Sequence, residues 1–114
     1  MADETPPTQR VGISGEKLQS VDLGPEIEGM EGRHLRLRRA TLEPGGHNAI
    51  HSHAGRPSVV YVLEGTITEH RNGAVIKHPP GNSWFGNREV KHWIENKGTT
   101  PAVILVVDIF KEKP

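Results

Sequence analysis

The chain has 114 residues, of which 33% are hydrophobic and 4% aromatic, and its 14 basic and 14 acidic residues give a formal net charge of zero. This length fits one domain with one modest core, and the balanced charge argues against nucleic acid and anionic membranes as partners. The absence of cysteine excludes disulfides, thiolate metal sites and cysteine nucleophiles, and it agrees with a cytoplasmic location.

Residues 1–32 are predicted to form an N-terminal arm. The first ten are polar and rich in proline, and Met1–Pro7 lacks the apolar core of a secretory signal. The segment Leu18–Leu23 is predicted to be a short edge strand.

Residues 33–110 carry the pattern of many short strands, and residues 111–114 form a tail. Alternation over residues 34–41 predicts a half-exposed strand, which a turn at residues 43–46 would end. Further strands are predicted at residues 58–63 and 90–96, and Asn72-Gly73 predicts a hairpin between residues 66–71 and 74–78. The apolar run within residues 101–110 predicts a strand buried on both faces. No helix is predicted, so the expected class is all-β.

Two histidines stand two residues apart just ahead of the strand at 58–63. Side chains at this spacing project from one face of a strand, so His51 and His53 can direct both imidazoles at one ion. His92, on the later strand, would complete a set of three. Imidazole is a ligand for Fe, Zn, Ni, Cu and Mn, and the sequence does not choose among these divalent metals. The alternative is that all three are surface histidines.

These residues resemble the motifs of the cupin superfamily. Gly45 or Gly46, His51, His53 and Gly65 match the first motif, and Gly81, His92 and Asn96 match the second. The resemblance implies a double-stranded β-helix, a jelly-roll barrel of the cupin (RmlC-like) type. It also implies a homodimer, for which residues 11–32 are the candidate contact.

The chain departs from the cupin pattern in two places, one of which is the Pro-x-Gly of the second motif, replaced here by Asn87-Arg88-Glu89. The acidic ligand of the first motif should stand at position 58, where this chain has Ser58, so the resemblance implies a three-histidine variant as in some cupin dioxygenases. His47, Arg56 and Ser58 are candidates for contact with a ligand or for support of the metal ligands, and Arg56 could bind a carboxylate through its paired nitrogens. Arg56 could instead simply be a solvated loop residue.

Several other polar residues are predicted to lie on the surface. Glu69, His70 and His78 fit a surface hairpin better than a set of ligands, and the cluster of Arg36, Arg38 and Arg39 fits a solvated face. Asp108 stands within an apolar strand and would need a partner if it is buried.

Three functions remain open. The first is a metal-dependent enzyme, with dioxygenase-like chemistry, that acts on a small organic substrate; no catalytic residue is assigned. The second is a non-catalytic module that binds or senses a small molecule, and the third is a metal-free barrel used for packing.

Overall fold

The computed structural model describes residues 5–112, which form one sheet of nine strands. In chain order the strands are β1 (Val11–Asp22), β2 (Arg33–His47), β3 (His51–Ser52), β4 (Ser58–Glu64), β5 (Ile67–Arg71), β6 (Ala74–His78), β7 (Ser83–Gly86), β8 (Lys91–Glu95) and β9 (Ala102–Lys111). The strand order is β6-β5-β8-β2-β9-β4-β7, with β1 paired to β2 and β3 paired to β8. All the pairings are antiparallel, and the sheet curls into a nearly closed barrel.

The all-β prediction is confirmed for residues 5–112, which contain no helix. None of these residues therefore belongs to a helix long and apolar enough to cross a membrane. The predicted hairpin is also present, because β5 and β6 pair on either side of Asn72 and Gly73, both of which have positive φ.

The prediction of a turn at residues 43–46 is wrong, since β2 continues through these residues to His47. Two glycines explain the difference. Gly45 has φ +82°, and a Cβ on Gly46 would lie 2.3 Å from the carbonyl oxygen of Gly12 on β1. The glycines thus let the paired strands cross closely, with an irregular register at this point. β1, at Val11–Asp22, is also longer than the short edge strand predicted at Leu18–Leu23.

The core lies inside the barrel, where β-branched and aliphatic side chains meet. Its fully buried members include Leu42, Val62, Ile67 and Ala102. The prediction that the last strand is buried on both faces holds for one face only. Val103, Leu105 and Val107, on the outer face of β9, are only half-buried.

Candidate functional site

Strand pairing brings three imidazoles together at one end of the barrel. β3 lies beside β8 with His51 directly opposite His92, and His53 follows two residues later. The Nε2 atoms are 3.1 Å apart between His51 and His53, 2.8 Å between His53 and His92, and 3.1 Å between His92 and His51. His53 and His92 are buried, and His51 is half-buried. The structure thus gathers the three histidines that the sequence predicted to converge.

Backbone carbonyls hold two of the rings in one orientation. Nδ1 of His51 lies 2.8 Å from the carbonyl oxygen of Ala49, and Nδ1 of His53 lies 2.9 Å from that of Arg56. Because a carbonyl oxygen only accepts, each Nδ1 must carry the proton. The Nε2 atom of each neutral ring then presents a lone pair to the common centre.

A buried carboxylate holds the third ring in the same way. Nδ1 of His92 lies 2.6 Å from Oε2 of Glu69, and Nε2 of His78 lies 2.8 Å from Oε1 of the same carboxylate. Arg71 Nη1 adds a contact of 3.3 Å, and Asn82 Nδ2 lies 2.7 Å from Nδ1 of His78. Asn82, His78, Glu69 and His92 therefore form a continuous hydrogen-bonded chain that ends at the histidine cluster.

Glu69 and His78 correct the sequence prediction, which placed them on the surface. Glu69 is fully buried and His78 is 5% exposed, because the face of β5 that carries Ile67 and Glu69 turns into the barrel. The two-residue alternation that places Glu69 on the same strand face as the apolar Ile67 was the sequence signal that could have predicted the burial of Glu69. His70 points the other way, where it stacks on Trp93 and lies 2.5 Å from Glu95.

The environment keeps the His51 and His53 rings neutral and the Glu69 carboxylate charged. Burial lowers the pKa of His51 to about 4, and burial likewise lowers the pKa of His53. Burial alone would raise the pKa of Glu69, but hydrogen bonds from His92 and His78 outweigh it, so this pKa is lowered. At neutral pH, His51 and His53 therefore have the form that binds a metal.

The spacing of the three nitrogens fits a metal ion. Three lone pairs about 3 Å apart repel one another unless a cation lies between them. A metal ion about 2.1 Å from each nitrogen would make N–metal–N angles of about 85–95°, which is one face of an octahedron. His51, His53 and His92 can hold such an ion, and this arrangement leaves coordination positions for a ligand.

A glycine on β7 makes room for the cluster. A Cβ on Gly86 would lie 2.7 Å from ring carbons of His53, closer than real Cβ contacts approach. The absence of a side chain at position 86 therefore allows the His53 ring to reach the common centre.

The histidines open into a cavity of about 280 Å³ that also contains guanidinium groups. Arg10, Arg38 and Arg56 line it, together with Ser58. Behind them, Asp108 is 2% exposed and accepts hydrogen bonds of 3.0 and 2.8 Å from Arg36. Asp108 thus has the buried partner that the sequence required.

The guanidinium groups near Asp108 outnumber its single negative charge. Arg38 Nη2 lies 3.4 Å and Arg56 Nη1 4.0 Å from Oδ2 of Asp108, which already pairs with Arg36. Burial and then the neighbouring Arg36 lower the pKa of Arg38. An anion in the cavity would relieve this excess of positive charge.

Two buried donors on the cavity wall lack an acceptor among the described residues: Nε of Arg38 and Nε1 of Trp84. The prediction that Arg38 belongs to a solvated face is wrong, because this face of β2 turns inward and carries Ala40 and Leu42 beyond it. The alternation that predicted this strand also places Arg38 on the same face as Ala40 and Leu42, so it could have predicted that Arg38 points inward.

The remaining predicted residues take different positions. Ser58 lines the cavity, with Oγ 3.4 Å from Nδ1 of His53 on the side away from the ring's Nε2. His47 lies outside the cavity, where its imidazole meets Trp93 edge-on with ring centres 6.2 Å apart.

A sequence model of the cupin domain matches residues 38–108, which is more than half of the chain. The chain belongs to the cupin family. The jelly-roll barrel that the motifs predicted is thereby confirmed.

Known relatives of this cupin include the oxalate-binding protein of Thermotoga maritima. The two are 32% identical over 82 residues, which cover 72% of this chain and 68% of that protein. Among solved structures, the cupin resembles TT1209 from Thermus thermophilus, with a TM-score of 0.62 and 27% identity over 74% of this chain and 77% of that one. It also resembles the polyketide cyclase RemF from Streptomyces resistomycificus, with a TM-score of 0.72, 22% identity, and coverage of 95% and 72%. At that identity, the likeness to RemF shows the fold alone.

Proposed function

We propose that this cupin binds a small organic carboxylate at a divalent metal ion held by His51, His53 and His92. One observation carries the proposal: three Nε2 lone pairs and the unpartnered Nε donor of Arg38 line the same cavity. A carboxylate offers acceptor oxygens both to a metal ion and to a guanidinium. The name of the Thermotoga relative supports the same class of ligand.

The protein's own residues would bind and orient the ligand. Arg38 and Arg56 would hold the carboxylate, while Ala49, Arg56 and Glu69 fix the rings so that Nε2 stays free of protons. The metal ion, when bound, would supply a Lewis acid or a coordination site for dioxygen. Three histidines leave positions for both a ligand and dioxygen, so oxygenase chemistry is the first reaction class to test.

A second candidate is a non-catalytic module that binds or senses a carboxylate. It is favoured by the wall of the described cavity, whose ionisable side chains are the three histidines and the arginines. The two buried carboxylates, Glu69 and Asp108, are already held by hydrogen bonds from neighbouring side chains. A side chain free to exchange protons with a substrate is therefore not evident among these residues.

Metal analysis of the purified protein, followed by ligand titration, tests the proposal. We expect about one divalent ion per chain. The His51→Ala/His92→Ala double variant should lose this ion. The control variant His34→Ala, which removes a histidine of β2 outside the cluster, should retain it. The metal-loaded protein should then bind oxalate, and the metal-free protein should not. Consumption of dioxygen with turnover of a carboxylate would favour the enzyme, and binding without turnover would favour the sensor. Full metal content in the double variant would refute the site.

We also propose that the cupin is a homodimer, as its family resemblance implies. The outer face of β4 and β7 exposes Val59 by 54%, Tyr61 by 46% and Phe85 by 54%, and β1 carries the exposed Val11 and Val21. Val59 lies directly opposite Phe85 in the strand pairing, and exposed apolar side chains that lie side by side mark contact surfaces more often than free ones.

The cytoplasmic location stays a prediction.

A further inference from the structure

We infer that the ligand of this cavity is an amphipathic organic acid, whose carboxylate lies at the histidines and arginines and whose apolar body fills the rest of the cavity. This inference rests on the proposed function and adds the class of substrate to it. Its basis is the size of the cavity and the distribution of polar and apolar residues along the strands that line it.

The register of the strands makes the cavity polar at one level and apolar at the next. On β4 and β9, Ser58 pairs with Asp108, the following inward pair is Val60 with Val106, and the next is Val62 with Ile104. One inward step along either strand therefore leads from polar groups to aliphatic ones.

The neighbouring strands repeat the same change. On β2, Arg38 is followed on the same face by Ala40, which pairs with Ile104 of β9. On β8, His92 is followed by Ile94, which is 4% exposed. The apolar wall of the cavity includes Ile13, Ala40, Val60, Ile94, Ile104 and Val106.

The volume exceeds what a carboxylate alone would fill. The cavity measures about 280 Å³, whereas an apolar cavity of about 150 Å³ holds a benzene molecule. By this comparison the cavity accepts about ten to twelve non-hydrogen atoms, of which a carboxylate uses three. Oxalate, with two carboxylates and no carbon chain, would leave the aliphatic wall without contact. An acid with a body of about seven to nine carbons would fill it.

A series of linear carboxylates tests this inference on the metal-loaded protein. Acetate, butanoate, hexanoate, octanoate and decanoate would each be titrated calorimetrically, with oxalate as a comparator that has no apolar body. Affinity should rise about fourfold for each added methylene until the cavity is full, because each buried CH₂ contributes a transfer free energy of known size. A series with equal affinities would refute the apolar body. It would leave the proposed function standing, provided that acetate or oxalate binds.

Two cavity variants and one surface control locate the apolar body within the cavity. Ala40→Leu fills the aliphatic wall and should abolish most of the preference for hexanoate over acetate, whereas Arg39→Leu adds the same side chain to the outer face of β2 and should preserve it. Val106→Ala enlarges the cavity and should shift the preference toward longer acids, which tests the inference even if Ala40→Leu does not fold. An unchanged preference in folded Ala40→Leu, or in Val106→Ala, would overturn the inference. Failure of every carboxylate, oxalate included, to bind the metal-loaded protein would refute the proposed function itself.

Discussion

Replacement of Glu69 by glutamine tests how the barrel prepares His92 to bind metal. The carboxylate accepts a hydrogen bond from each of two histidines, His92 at 2.6 Å and His78 at 2.8 Å. A glutamine amide has one accepting oxygen and one donating nitrogen, so it cannot accept from both rings. If the nitrogen faces His92, its Nδ1 must accept, the proton moves to Nε2, and the ring no longer binds metal. If the nitrogen faces His78, that ring must change tautomer, and Asn82 must flip its amide to match.

The expected cost lies in metal affinity. Loss of a carboxylate that supports a metal-bound histidine typically weakens metal binding by about 10- to 100-fold, which corresponds to about 1.4–2.7 kcal/mol. Competition with a chromophoric chelator, using Zn²⁺ and Co²⁺, measures this affinity directly. The Co²⁺ absorption spectrum reports in addition whether all three nitrogens remain bound. Urea denaturation of the metal-free variant checks that the fold survives.

Glu95→Gln is the matched control. Glu95 contacts His70 at 2.5 Å on the opposite face of the same two strands, β5 and β8, and among residues 5–112 it has no hydrogen bond or ion pair with the histidine cluster. Its replacement should leave metal affinity within about twofold, well below the loss expected for Glu69→Gln. Equal metal affinity in Glu69→Gln and the native protein would refute the argument from tautomers. Equal losses in both variants would show a general effect on the sheet instead.

Three further predictions follow from the site and the outer surface. Arg38→Gln should weaken carboxylate binding by about 10- to 100-fold, since hydrogen bonds to charged groups contribute about 1.5–3 kcal/mol; titration of the metal-loaded protein would show it, and an equal loss in Arg39→Gln would contradict it. The metal-free protein should lose stability as pH falls from about 6.5 toward 4, because an unfolded histidine takes up a proton in this window while His51, with its pKa lowered to about 4, does not. The pH dependence of the urea midpoint should therefore be shallower in His51→Gln, and an identical slope would exclude this source. Val59→Lys should shift a dimer to monomer in sedimentation velocity, because Val59 is exposed on the apolar outer face of β4 and a charge is costly to bury in a contact there. A native protein that is already monomeric at all concentrations would refute the proposed dimer.

The histidine cluster shows how far local sequence carries the prediction of a site. Spacing alone places His51 and His53 on one face of a strand, and the second motif adds His92. The structure then brings all three Nε2 atoms to 2.8–3.1 Å of one another. The same two-residue alternation puts Glu69 on the face of β5 that carries Ile67. The hairpin pattern around Asn72-Gly73, however, does not show which face of that hairpin turns inward.

The sequence by itself determined most of the strands, the hairpin at Asn72-Gly73 and the shared face of His51 and His53, because each depends on residues close together in the chain. It predicted no bounds for β3 and did not predict β7. Only the tertiary structure decided which face of each strand forms the interior. On β2, Arg36 and Arg38 turn toward Asp108, 72 and 70 residues away, while Leu35 remains 37% exposed on the outside. The alternation of side chains separates the two faces of a strand but does not show which face turns into the barrel. On β2 that depends on the buried carboxylate of Asp108, which closure of the barrel places opposite the two arginines.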